Sequence, residues 1–464
     1  MRFAALLLLT AALSFAQPRY PLDWARLEPE LLDRFTELLR IDTSNPPGNE
    51  TRAAKAIEAV LAREGIASKL FAMDPARANL VARIKGNGSK RPLLIMGHTD
   101  VVGAPRERWT VDPFAAIRKN GVIYARGTVD DKEHAVAGMM ILILLKRMKV
   151  PLDRDVIFLA EAGEESDTPF GINFMVKDHW PEIEAEYALA EGGAMVEVNG
   201  KVHHLLLGTT EKMANNIRLV ARGSAGHGSR PTLDNAVVHL AQAVARAGTW
   251  STPIRLNETT RAYFEGLAAV SPRDEAARYR AVLDPQHAAE ADRYFRAHDP
   301  TTYSLLRNSI APTILKGGFR ENVIPSEAEA TLNVRLLPGE NLADFMADLR
   351  RVIDDPAVQV IPPSTVGRPP APPSRMDTEM FRALEQVGRR MFGASALPNM
   401  LTGSTDMAQL RAKGVQAYGV GPVVKPEEGP LGLAHADDEH ISVESLKSFF
   451  EYVWNSVIEV AAHR

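Results

Sequence analysis

Three short runs constrain the fold most: residues 92–96, 155–160 after the leading Asp155, and 187–190. Each is apolar at every position, with no polar alternation. A strand that is half exposed alternates, whereas one apolar on both faces has to be covered on both. Helical patterns lie between and around these runs. Apolar residues recur at helical spacing over 27–39, a second helix spans 50–64 and closes at Gly65, and 135–148 is almost wholly apolar. Strands alternating with helices predict a mostly parallel sheet in an α/β domain, with helices on both faces.

The pattern changes near Thr209. Residues 215–222 alternate, 235–247 read as an amphipathic helix, and 313–317 and 327–336 alternate again. A helix at 342–352 and a strand at 358–361 follow. The order β-α-(insert)-β-β-α-β is that of a ferredoxin-like split unit, with a polar, Arg/Ala-rich helical insertion at 255–308. Proline pairs at 362–363, 369–370 and 372–373 mark a stiff linker, after which helix 376–391, strand 415–420 and helix 443–461 resume the first pattern. The expectation is an α/β catalytic domain in two parts, 20–208 and 369–464, interrupted by a lid over 209–368.

Met1-Arg2, the apolar residues 3–13 and Ser14-Phe15-Ala16 read as a signal peptide over 1–16 that is too short to span a membrane. The implied location is periplasmic or secreted, with no membrane association after cleavage. A net charge of −4 and the lack of a basic tract speak against nucleic acid. The chain of 464 residues contains no cysteine. Disulfides and a lipid-modified cysteine are therefore excluded, and any metal has to be held by His, Asp and Glu.

Five motifs could carry chemistry, all at strand ends or in adjacent loops, where open α/β sheets gather ligands. His98 ends the first apolar run, and Asp100 two residues on lies on the same face of an extended chain. Asp100 can accept one ring N–H and leave the other nitrogen for a metal; a core histidine fits equally. Asp130-Asp131-Lys132 precedes a helix, where acids also simply favour the dipole. Glu164-Glu165 follow the 155–160 run; adjacent carboxylates there need a cation, or else form a solvated loop. Glu191 ends the 187–190 run before Gly192-Gly193, and His435 lies in the acidic segment 432–440. Turn and surface positions fit these two as well. Two histidines with several carboxylates suit Zn²⁺ or a similar divalent ion.

In this order and spacing, the His-x-Asp-Val-Val, Asp-Asp-Lys and Glu-Glu motifs with Glu191 and His435 resemble peptidase family M20. This is the family of acetylornithine deacetylase, succinyl-diaminopimelate desuccinylase, aminoacylase and carboxypeptidases G and S. The resemblance covers nearly all of the chain after the signal. It implies a catalytic domain interrupted by a ferredoxin-like lid, and two Zn²⁺ per subunit, with Co²⁺ or Mn²⁺ as substitutes. His98 and Glu191 would hold one ion, Glu165 and His435 the other, and Asp130 would bridge them. Asp100 would orient His98. Glu164 would be the general base that takes a proton from the attacking water and delivers it to the leaving nitrogen. In the lid, His227 of Gly223–Pro231 would stabilise the oxyanion, in its own subunit or across a dimer. Asn322 and Arg335 match substrate-binding residues, and Gly403-Ser404 resemble a loop that meets the substrate's free carboxylate.

The chain departs from the family's pattern where Glu133-His134 replace the usual glycine after Asp-Asp-Lys, and where Ala190 stands in place of an acid. The long insertion is closer to the carboxypeptidase S and N-acyl amino acid hydrolase branch. The resemblance implies hydrolysis of an amide or peptide bond next to a free carboxylate, as in a carboxypeptidase or dipeptidase. An N-acyl amino acid deacylase is the alternative, and a non-catalytic peptide-binding relative the remote one. A homodimer through the lid is the implied partner, beside a small peptide or N-acyl amino acid substrate.

Overall fold

The computed structural model describes residues 19–166, 169–364, 368–425 and 433–463; the expected signal over 1–16 lies outside them. The large sheet has ten strands. Its centre is built from the three apolar runs. Strand Leu93–His98 pairs in parallel with Val156–Glu161 on one side and Tyr187–Ala190 on the other, and Gln416–Gly419 extends the parallel set. Every residue of these first three strands is buried. Helices Trp24–Leu39, Lys132–Arg147 and Val443–Ala461 supply one covering layer, and Ile172–Asp178 with Met407–Ala412 contribute to the other. The mixed α/β architecture with a mostly parallel sheet is therefore as the sequence implies.

The chain leaves this sheet at Lys212. Strand Lys201–Glu211 belongs to the large sheet, and Met213–Arg222 to a separate four-stranded antiparallel one. The strand order in the small sheet is Ser309–Gly317, Glu327–Leu336, Met213–Arg222, Val358–Ile361. Helices Ala236–Thr249 and Leu342–Ile353 pack on its inner face through Leu240, Ala243, Phe345 and Leu349. This is the expected ferredoxin-like unit. The helical insertion forms Glu258–Val270, Arg273–Leu283, Ala288–His298 and Pro300–Leu305. Its first helix meets strands Ser395–Leu401 and Lys201–Glu211 of the large sheet, with Phe264 and Leu267 in one cluster with Leu206, Leu397 and Met400, while Phe295 stacks on Tyr279 within the insertion.

Lys212 ties the crossing point together. Its buried ammonium donates to Ser304 O, Arg307 O and Ser309 Oγ at 2.9–3.0 Å. One side chain thus links the point where the chain enters the small sheet to the point where it returns.

Candidate metal centre

The carboxyl ends of strands 93–98, 156–161 and 187–190 deliver His98, the Glu164-Glu165 turn and Glu191 to one place. Gly97 allows the first turn of helix Lys132–Arg147 to close over it. A Cβ there would lie 2.5 Å from Ala135 N and 2.8 Å from the His134 carbonyl carbon. At Gly419 a Cβ would lie 2.7 Å from Glu191 O, so its absence lets strand 416–419 run against the Glu191 turn.

Two ligand groups result, and they share a residue. His98, Asp130 and Glu191 form one, and Asp130, Glu165 and His435 the other; within each, the donor atoms lie within 4.8 Å of one another. His98 Nε2 lies 2.9 Å from Asp130 Oδ1, while His435 Nε2 lies 3.1 Å from Asp130 Oδ2 and from Glu165 Oε2. Each oxygen of Asp130 therefore faces a different histidine. His435 is held at φ +63°, in the left-handed region that non-glycine residues adopt at a cost.

Electrostatics set the chemistry of this cluster. Burial pushes Glu191 well above the ordinary carboxylate range, and the Glu164 and Asp130 charges add to the effect. Burial also raises Glu165, against the pull of His435. For Asp130 burial acts the same way, but bonds to His435 and His98 outweigh it and hold the group low. Acids crowded this closely are stabilised as carboxylates by a cation placed between them. Imidazole and carboxylate donors without sulfur suit a divalent ion of the zinc type.

Asp100 stands beside His98 and serves this centre in more than one way. The His98 ring meets its main-chain oxygen at 3.0 Å and its carboxylate only at 3.5 Å. The carboxylate also accepts from Asn45 Nδ2 at 2.8 Å and from the backbone N–H groups of Glu164 and Glu165 at 3.1 Å each. Asp100 thereby positions the Glu-Glu turn as well as the histidine. Glu164 belongs to neither ligand group. Its carboxyl is raised by burial, against the opposing pull of Arg368, which contacts Glu164 directly and Asp406 at 3.1 Å.

The lid residues divide into two sets. Arg335 NH1 donates to Ser404 Oγ at 3.2 Å, joining the small sheet to the 403–406 loop. A Cβ on Gly403 would meet open space. His227 lies on strand Gly226–His227, which pairs with Val323–Ile324, and the exposed Asn322 immediately precedes that partner; Gly228 N donates to Asn322 O at 2.8 Å. His227 Nδ1 accepts from Ser229 N and Oγ, which leaves Nε2 facing outward. Among the described residues, neither forms a hydrogen bond or ion pair with the His–carboxylate cluster.

Several contributors were given no role from the sequence, although Lys132 lies in the Asp-Asp-Lys motif and Glu439 in the 432–440 segment. Glu439 is buried with Arg126 at 2.5 Å, and it accepts Val129 N at 2.9 Å, Gly127 N at 3.2 Å and Thr128 Oγ at 3.2 Å. It thus anchors the loop that ends at Asp130. Glu211 does the same for the 403–406 loop, accepting Thr405 N, Thr405 Oγ and Arg411 at 2.7–3.0 Å. Lys132 Nζ reaches Ile41 O at 2.8 Å and Leu38 O at 3.2 Å. Buried charged residues flanking a ligand motif were the available signal.

The family model for peptidase family M20/M25/M40 matches residues 94–457. An N-fatty-acyl-amino acid synthase/hydrolase of Homo sapiens is 29% identical over 382 residues, covering 79% of this chain and 74% of that protein. A probable carboxypeptidase S-like 2 of Dictyostelium discoideum is 28% identical over 397 residues, covering 82% and 74%. An M20 family metallo-carboxypeptidase from Sulfolobus solfataricus superposes with a TM-score of 0.70 at 18% identity, covering 93% of this chain and 99% of that one. The chain belongs to peptidase family M20/M25/M40, hydrolases of peptide and amide bonds.

Proposed function

We propose that the protein is a two-metal carboxypeptidase or dipeptidase that cleaves the amide bond next to a free α-carboxylate. The observation that carries this reading is the pair of ligand groups sharing Asp130, each with one histidine and one further carboxylate. When bound, two Zn²⁺ ions would supply polarisation of the carbonyl and acidification of a water. Co²⁺ or Mn²⁺ would suit the same oxygen and nitrogen donors. His98 and Glu191 hold one site, Glu165 and His435 the other, and Asp130 serves both. Glu164 lies beside the ligands and outside both groups, and burial raises its proton affinity. It takes the proton of the attacking water and returns it to the leaving nitrogen. The Arg335 guanidinium beside Ser404 and the open Gly403 forms the receptor for the substrate's carboxylate. His227 and Asn322, both exposed, meet the acyl oxygen after the lid closes or from a partner subunit.

The lid presents a face suited to such a partner. Strand Ser309–Gly317 is the outer strand of its sheet, and Ile314, Leu315, Phe319, Val237 and Val238 are exposed near it. An unpaired edge with apolar side chains favours pairing with a second copy. Export is supported by the basic, apolar and small-residue pattern of residues 1–16. Among the described residues no helix is long and apolar enough to cross a membrane.

The N-acyl amino acid reading is the second, favoured by the likeness to the N-fatty-acyl-amino acid synthase/hydrolase. A panel with the zinc-loaded protein separates the two. Dipeptides and N-acyl amino acids that share one C-terminal residue are compared by kcat/KM. Faster dipeptide turnover supports the first reading, faster N-acyl turnover replaces it with the second, and hydrolysis of neither class refutes both.

A further inference from the structure

Helix Lys132–Arg147 is apolar along most of its length, yet its first turn buries two ionisable residues that bind neither ligand group. Glu133 is 0% and His134 2% exposed, beside Asp131 at 1%. His134 Nδ1 lies 2.5 Å from Asp131 Oδ1 and 3.2 Å from Glu133 Oε1. The ring rests edge-on against Phe449 of helix Val443–Ala461, with centroids 4.6 Å apart. Glu133 Oε2 and His134 Nε2 have no hydrogen-bond partner among the described residues. Taking such groups out of water is costly, and an apolar pair at these positions would pack a helix against a helix with less penalty. What the pair touches in return is Asp131.

Asp131 is the neighbour of the shared ligand. Its other oxygen, Oδ2, accepts the backbone N–H of His98 at 3.1 Å. One carboxylate therefore ties the end of strand Leu93–His98 to the residue after Asp130, and the imidazole fixes it from behind. The spacing that Gly97 permits presses the strand end onto this same turn, at His134 and Ala135. Asp131, Glu133 and His134 also lie close enough together to be metal donors. One Asp131 oxygen is already taken by His98 N and all three side chains are buried, so they are read as support for the neighbouring ligands.

We propose that His134, backed by Glu133, is a positioning residue that braces Asp131 and thereby sets Asp130 and His98 for metal binding. The brace rests on the two-metal reading of the neighbouring ligands. Its loss lowers metal affinity by about 10–100-fold, the usual effect of removing a partner behind a ligand. His134→Asn retains it, because the Asn Nδ2 takes the place of ring Nδ1.

The test is chelator competition for Zn²⁺ on the parent, His134→Leu, His134→Asn and Asp130→Asn, with thermal melts of the metal-free forms. The expected result is tight binding of two ions by the parent, a loss of at least tenfold for His134→Leu, and near-parent affinity for His134→Asn. A role confined to packing would lower the melting temperature of metal-free His134→Leu and leave its affinity alone, and that outcome overturns the proposal. Equal loss in His134→Leu and His134→Asn overturns it as well. Parent-like binding by Asp130→Asn refutes the two-metal reading instead. If His134→Leu does not fold, His134→Phe, which keeps a ring against Phe449, takes its place with the same expected loss.

Discussion

Glu439 provides a demanding test of how the shared ligand is held. Its carboxylate is fully buried and accepts four donors: Arg126 NH1 at 2.5 Å, Val129 N at 2.9 Å, and Gly127 N and Thr128 Oγ at 3.2 Å. In Glu439→Gln only one oxygen remains. If it keeps Val129 N and Thr128, the new amide NH₂ faces Arg126 and Gly127 N, and both lose their acceptor. An uncompensated buried guanidinium costs about 3–5 kcal/mol, and an orphaned N–H about 1–3 kcal/mol more. Taking only the low end of the first figure, and about 2 °C per kcal/mol for a large domain, the melting temperature falls by at least about 6 °C. The loop from Gly127 to Asp130 is loosened with it, so Zn²⁺ affinity drops by about tenfold or more.

Calorimetry of the metal-free protein and chelator competition measure the two effects separately. The double variant Arg126→Met/Glu439→Gln sharpens the test, because it removes both charges and the unpaired cation while the Gln oxygen still accepts Val129 N and Thr128 Oγ. It should regain most of the stability while metal affinity stays low. Burial pushes Glu439 above its ordinary value, against the pull of Arg126 and the backbone N–H groups. A Glu439→Gln protein with parent melting temperature and parent metal affinity would mean that the carboxyl is already neutral and the anchor unimportant, refuting the reasoning.

Glu164→Gln should keep both metal groups, since Glu164 is in neither, and lose about 10²–10⁴-fold in kcat; amide hydrolysis at the parent rate would remove the general-base assignment. Leu315→Lys places a charge on the exposed outer strand of the lid and should shift the protein from dimer to monomer in analytical ultracentrifugation. A monomeric parent, or a variant that remains dimeric, would sink the lid interface.

The central strands were legible because burial on both faces leaves no polar alternation, which is a property of the residues themselves. Strands Lys201–Glu211 and Ser395–Leu401 were not. The first begins Lys-Val-His-His, and the second carries Pro398 and Asn399. Strand 395–401 is off the main path of the sheet and pairs with 201–211, a position that tolerates a proline lacking a ladder donor. Both depend on partners far away in sequence. The packing of the insertion was hidden for the same reason. Its composition predicts helices, but the surface that Phe264 and Leu267 cover includes Leu397 and Met400 of strand 395–401, far away in sequence.

The ligand set shows the same division between chemistry and support. His98, Glu165 and Glu191 stand at or just after the ends of apolar runs, whereas Asp130 and His435 were singled out by the resemblance to the family's motifs. The groups that hold them are scattered. Asn45 lies far upstream of Asp100, and Glu439 far downstream of the loop it fixes. Asp100 itself illustrates what spacing leaves out. Two residues from His98, it stays in contact with the ring, yet its carboxylate also accepts Asn45 and the Glu164-Glu165 turn. The backbone oxygen then meets the ring. A carboxylate can accept about four hydrogen bonds, and which donors fill it is decided by the loops that the sheet brings above it. The candidate ligands thus lie in short local motifs, while their orientation belongs to the whole fold.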